Sequence, residues 1–192
     1  MAGRGSRVGL VLNALDNFPR DRAERLASQT KTLKDLGFKP AEVDLRDHFS
    51  SITIGDALHD KGLLWISGGN AFILRRAMRQ SGFDALISRL LAADRLMYAG
   101  FSAAACCAAP SLRGIELVDD PSTVPECYSV QVIWDGLRLI DYHIAPHYQS
   151  AHSESVAIDN LIAFYQHQNL PYRALQDGEA LIVDGNETSI IG

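Results

Sequence analysis

The order in which short apolar runs, polar or glycine-bearing loops and segments of helical periodicity follow one another constrains this chain more than any other feature. Val8-Gly-Leu-Val-Leu-Asn is a compact run that stops at polar residues, as a strand buried on both faces does. Residues 19–36 then space Ala23, Leu26, Ala27, Leu33 and Leu36 at roughly helical intervals and close at Gly37. Ala41-Glu-Val-Asp-Leu alternates apolar and polar as a second strand, and Leu63-Leu-Trp-Ile, the third, runs into Ser67-Gly68-Gly69-Asn70. One helical pattern follows through Phe72, Leu74 and Met78, and another from near Gly82 through Leu86, Ile87, Leu90 and Leu91. The run Leu96-Met-Tyr-Ala then leads straight into Gly100-Phe-Ser-Ala-Ala. Strands separated by helical segments of about 10–20 residues are βαβ units, so the expected fold class is α/β: a mostly parallel sheet with helices on both faces.

The second half reads as richer in β structure. Strands are expected at Tyr128–Trp134, Leu137–Ile144, Tyr172–Leu175 and Ala180–Val183, with a helix from Glu154 to Gln168 and a tight turn at Asp184-Gly185. His152-Ser-Glu-Ser offers serines as N-caps for that helix. Without an internal repeat or a Pro/Gly linker, residues 1–192 are expected to form one domain.

Charge and cysteine usage narrow the partners. Asp plus Glu number 23 against 18 Lys plus Arg, a net charge of −5, which leaves no electrostatic footprint for nucleic acid or anionic lipid. No apolar run reaches the ~18–20 residues that cross a bilayer, and the apolar stretch after the basic opening segment is too brief for a signal-peptide core. Cys106 and Cys107 are adjacent and Cys127 stands alone, giving neither a disulfide framework nor metal-ligand spacing. The expectation is a cytoplasmic protein, monomer or homodimer, without cofactor or metal, acting on a small molecule.

In open parallel sheets, functional groups gather where strand ends meet helix N-termini. Ser67-Gly-Gly-Asn is either a tight turn or a loop that aims backbone N–H groups at an anion. Gly100-Phe-Ser102-Ala-Ala104 has the strand, serine, helix context of a nucleophile elbow, with Ala104 where the G-x-S-x-G pattern has its second glycine; its plain alternative is a serine capping the next helix. Of the six histidines, His147 in Pro146-His-Tyr is held at the end of an extended run and suits a base, whereas His143, His152 and His167 read as structural or solvated. Asp177, before Gly178, is either an orienting acid or an ordinary turn residue.

Taken in order, these motifs resemble the peptidase E group of serine peptidases, which includes the α-aspartyl dipeptidases and, more distantly, the cyanophycinases. Ser67-Gly-Gly-Asn-Ala-Phe is similar to the family's G-G-G-N-T-F, Gly100-Phe-Ser-Ala-Ala-Ala to G-x-S-A-G-A, and Pro146-His-Tyr to N-P-H-F; Asp177-Gly178 falls where the family has an acid before glycine. Pro110 and Asp119-Asp120-Pro121 fit the stretch after the elbow. The resemblance implies a class I glutamine amidotransferase-like, flavodoxin-like fold and a serine peptidase, dipeptidase-like in its preference for short peptides. It implies Ser102 as nucleophile, His147 as base and acid, and Asp177 as orienting carboxylate, with Asp119 or Asp120 as the alternative acid. It further implies the N–H groups of Gly69 and Ala103 as the oxyanion hole, and Gly68, Asn70 and Glu154 as substrate-binding positions. Where aspartyl dipeptidases carry an arginine for the acidic substrate side chain, this chain has Glu154, so strict aspartyl specificity is not expected and pairing with a free α-amino group is. Amidotransferases of the same fold use a cysteine at the elbow, which Ser102 replaces here. A non-catalytic ligand-binding or sensing role is the other reading, because Ala104 and Glu154 both depart from the pattern. With Asp177 so close to Gly192, the expected site spans nearly the whole chain and leaves no room for a separate specificity domain.

Overall fold

A computed structural model describes residues 5–51 and 53–192; residues 1–4, where the basic opening segment begins, fall outside it. The first half runs β1 (Arg7–Val11), α1 (Pro19–Asp35), β2 (Lys39–Glu42), α2 (Ile54–Leu58), β3 (Leu63–Ile66), α3 (Ala71–Gln80), α4 (Phe83–Ala92), β4 (Met97–Gly100) and α5 (Ala103–Ala108). Its sheet has the order β2-β1-β3-β4 with every neighbouring pair parallel. The strands alternate their side chains between two apolar layers, as the period of two requires. Val8, Leu10 and Leu63 pack with Leu33 and Leu26 of α1. Val11, Leu64 and Ile66 pack on the opposite side with Phe72 and Met78 of α3, Ile87 of α4 and Cys107 of α5. The α/β class with helices on both faces is therefore the observed one.

Strand register sets the height of the loops. Val11 pairs with Ile66, and Ile66 with Gly100, so β1, β3 and β4 end level. Ser67 N–H donates to the Val11 carbonyl at 2.9 Å and Asn70 N–H to that of Ala14 at 2.9 Å, which ties the loop after β3 to the loop after β1. The level ending also demands a tight fit. A Cβ on Gly100 would lie 2.6 Å from the Ala104 methyl and 2.6 Å from the Ile66 carbonyl oxygen. The missing side chain at Gly100 is what lets alanine stand at 104.

The second half holds β5 (His143–Ala145), α6 (Ser155–His167), β6 (Tyr172–Ala174) and the strands β7 (Ala180–Asp184) and β8 (Glu187–Ile191). β5 and β6 form their own parallel pair, with β5 packed against α5, and β7 and β8 form an antiparallel hairpin closed by Gly185-Asn186. No helix among the described residues is long and apolar enough to cross a membrane.

Three expectations are corrected. The second strand is Lys39–Glu42, and Leu45–His48 is instead a single tight helical turn, because the Asp44 side chain accepts from Arg46 N–H and caps it. Residues 128–142 form no strand; only β5 remains of the expected Leu137–Ile144 run. Backbone groups of this stretch and of the loop before it are taken elsewhere: Arg76, fully buried, donates to the carbonyls of Pro121, Thr123 and Gln131, and Arg75 to that of Asp135. The N–H groups of Leu137 and Leu139 donate to carbonyls at the end of α5. Finally, neither serine caps α6, which starts at Ser155 with no side-chain cap.

Gly100→Ala should therefore destabilise the fold by roughly 1–3 kcal/mol through overpacking against backbone that cannot retreat. The urea midpoint, at unchanged m-value, measures it.

Candidate active site

Ser102 sits between β4 and α5 with φ 51° and ψ −116°, a positive-φ conformation that costs a non-glycine residue about 1–3 kcal/mol and persists only where packing dictates it. The packing is visible. Gly68 lies so close that a Cβ there would come within 2.9 Å of the Ser102 Cβ and 3.0 Å of the Phe101 ring. Ala104 is fully buried, and its carbonyl accepts from the Tyr98 hydroxyl at 2.7 Å. The serine side chain does not cap α5, so the plain alternative to an elbow is not what the fold uses. Among the described residues the Ser102 hydroxyl makes no hydrogen bond, and the N–H groups of Gly69 and Ala103 have no acceptor. Both lie on the loops that meet at the level strand ends.

Asn70 is occupied in holding that place. Its side-chain oxygen accepts from Phe72 N–H at 2.9 Å and Ile73 N–H at 3.0 Å, capping α3, and its amide donates to the Asp120 carbonyl at 3.1 Å. The side chain expected to meet substrate thus fixes the loop carrying Gly68 and Gly69.

His147 follows β5 as Ser102 follows β4. Its Nδ1 is 2.7 Å from Asp177 Oδ1, the geometry of an imidazole held by a carboxylate. The turn bearing Asp177 is tied back to the histidine loop, since Asp177 N–H donates to Ser150 Oγ at 2.8 Å and Tyr148 N–H to the Leu175 carbonyl at 3.0 Å. His147 and Gln149 are both left-handed, φ 60° and 48°, and this fold-back carries His152 over the His147 ring. The two rings stack with centroids 3.8 Å apart and planes 8° apart. The sequence had placed His152 in solvent; its only clue was five-residue spacing, which needs the unusual backbone to become a contact.

His147, His152 and Glu154 bring ligand atoms within 4.8 Å of one another. Face-to-face rings, however, aim their in-plane lone pairs in parallel rather than at one point, so the trio is a poor metal cage.

Ser102, Ala103 and Pro146 line one small cavity together with Cys106, Ile115, Val118, Asp119, Glu154 and Ile158. Burial, with a smaller push from the Glu154 charge, raises the Asp119 carboxyl to about 6, against the opposing pull of Ala71 N–H, which donates to it at 2.8 Å. Asp119 thus lines the cavity while hydrogen-bonded to the first residue of α3, and His147 takes its carboxylate from Asp177. Asp120 is turned to Ser122 and Thr123, whose hydrogen bonds lower its pKa. Burial pushes the Cys106 thiol well up and that of Cys107 to about 12, so neither supplies a thiolate near neutral pH. The serine is the nucleophile candidate that this chemistry leaves.

Residues 17–191 match peptidase family S51. A Listeria innocua protein named an uncharacterised peptidase is 28% identical over 157 residues, 82% of this chain and 71% of that protein. A Drosophila melanogaster protein assigned as an alpha-aspartyl dipeptidase is 26% identical over 141 residues, 71% of this chain and 55% of that protein. In fold, the chain is similar to the crystal structure of a Listeria monocytogenes protein assigned to peptidase E, with a TM-score of 0.77 at 21% identity, over 100% of this chain and 88% of that one.

Asp119 binds its proton more tightly in the folded than in the unfolded chain. Its contribution to stability is therefore complete below about pH 4 and is lost as pH rises through about 6. Asp119→Asn keeps an acceptor for Ala71 N–H and removes the charge. Urea melts from pH 4 to 7 should show the wild type losing about 2 kcal/mol relative to this variant.

Proposed function

The chain belongs to peptidase family S51, a serine peptidase, and from that premise we propose that it hydrolyses short peptides through Ser102, His147 and Asp177. The observation that carries this reading is the His147–Asp177 hydrogen bond, made one residue after Pro146, which lines the same cavity as the elbow serine. Ser102 Oγ attacks the scissile carbonyl as His147 Nε2 takes its proton. The negative oxygen that forms is met by the N–H groups of Gly69 and Ala103, each such donor contributing about 2.7–4 kcal/mol in comparable sites. Collapse of the tetrahedral species breaks the C–N bond, and the imidazolium returns its proton to the departing amine. Water then enters, gives its proton to His147 and releases the acyl group from Ser102. Asp177 accepts from His147 Nδ1 throughout, which keeps Nε2 free as the base.

The cavity walls support a substrate class. Glu154 and Asp119 are the charged residues on it, both acidic, and the remainder is largely apolar. A carboxylate repels an acidic side chain and attracts an ammonium, so the substrate proposed is a dipeptide-like chain with a free amino end and a non-acidic first residue.

Ser102→Ala should abolish both hydrolysis and labelling by a serine-directed fluorophosphonate, read by intact mass. Labelling that survived would mean another nucleophile. Asp177→Asn should keep the fold and lower kcat about a thousandfold or more by favouring the wrong tautomer. In a dipeptide library, N-acetylation should remove activity, and Glu154→Gln should raise KM for unblocked dipeptides by about tenfold with kcat little changed; preference for acidic first residues would overturn the substrate reading.

A further inference from the structure

We propose that His152 is a positioning residue that sets the plane of the His147 ring. The inference rests on His147 being the general base.

A single hydrogen bond at Nδ1 fixes one point of an imidazole. It leaves the ring free to rock about the line to Asp177, and that motion swings Nε2, the atom to which the proposed mechanism gives the role of base. Asp177 is about half exposed and sits on a turn, so it is a weak anchor alone. The second constraint is the flat face of His152, parallel to His147 within 8° at 3.8 Å. His152 is itself held from the start of α6: Glu154 N–H donates to its Nδ1 at 3.2 Å, and its carbonyl accepts from Ser155 N–H at 3.1 Å. The hydrogen bond at Nδ1, with the Glu154 carboxylate 3.9 Å from the same nitrogen, ties one edge of the His152 ring to the first turn of α6.

The backbone bears a cost for this arrangement. Two left-handed residues, His147 and Gln149, make the fold-back that brings the rings together, and such strain persists where surrounding contacts enforce it. The chain of support thus runs from the first turn of α6 through His152 to the base.

The test uses the full chain, the best dipeptide found above and three variants. His152→Ala and His152→Leu should lower kcat by about 10-fold to 100-fold, as small misplacements of a reacting group do, with KM within about threefold. His152→Phe, which keeps a flat face and loses both nitrogens, should return kcat to within about threefold of wild type. A structural readout accompanies it in the Ser102→Ala background: the downfield NMR proton of His147 Nδ1 shared with Asp177 should be sharp with His or Phe at 152 and broadened with Ala or Leu. Phenylalanine performing no better than leucine, or a loss confined to KM, would overturn the proposal. If Ser102→Ala itself retained hydrolysis, the catalytic reading would fail, and the NMR series would still decide whether His152 fixes the ring.

Discussion

Parallel pairing carries Val11, Ile66 and Gly100 to the same height, and the arrangement of the site descends from that register. Loops leaving three level strands must share one narrow rim. There the backbone of Gly68 meets Ser102, the carbonyl of Ala14 meets Asn70 N–H, and the Ala104 methyl covers Gly100. A one-residue slip would exchange the two faces of a strand, moving Leu64 and Ile66 from one apolar layer to the other. Both layers are apolar, so the slip is opposed by misfit of side-chain shapes, overpacking that costs about 1–3 kcal/mol per site, and the same packing that builds the core also holds the elbow in place.

A polar network secures the rim from beneath. Asn13, fully buried after β1, donates to Asp16 at 2.8 Å and Asp44 at 2.9 Å and accepts from Leu45 N–H at 3.1 Å. Arg22 reaches Asp16 at 2.8 Å and Asp44 at 2.9 Å, and the Tyr128 hydroxyl donates to Asp16. Although burial works against it, hydrogen bonds from Arg46 and Asn13 hold the Asp44 carboxyl at about 2. Tyr128 thereby ties the irregular second half to the end of β1. Arg75 and Arg76 do the same from α3, by donating to carbonyls of residues 121–135. Buried guanidinium groups of this kind take the place of a strand ladder.

Sequence patterns disclosed the first half because its information is local. Helical spacing in 19–36 and 71–80, the glycine after α1 and the apolar run 63–66 each report on a segment whose partners lie in the same βαβ unit. Residues 128–142 read as β-rich by composition, which cannot say that Arg76, some fifty residues earlier, claims the Gln131 carbonyl or Arg75 that of Asp135. The same division holds at the site. Ser102, His147 and Asp177 stand out by their neighbours in sequence. The stacking of His152 and the capping by Asn70 depend on backbone angles and on groups brought from other elements, and no spacing rule announces them.

His147 and Asp177 do not stand on the main sheet. They hang from the separate β5–β6 pair, whose strands are three residues each. A short ladder opens at a lower free energy than a four-stranded core. Opening of the pair that carries His147 and Asp177 and global unfolding are therefore two thermodynamic quantities in this chain. The His147–Asp177 contact would be lost at denaturant concentrations that leave the central sheet intact, and slow amide exchange would persist in β1 and β3 after it had lapsed in β5 and β6.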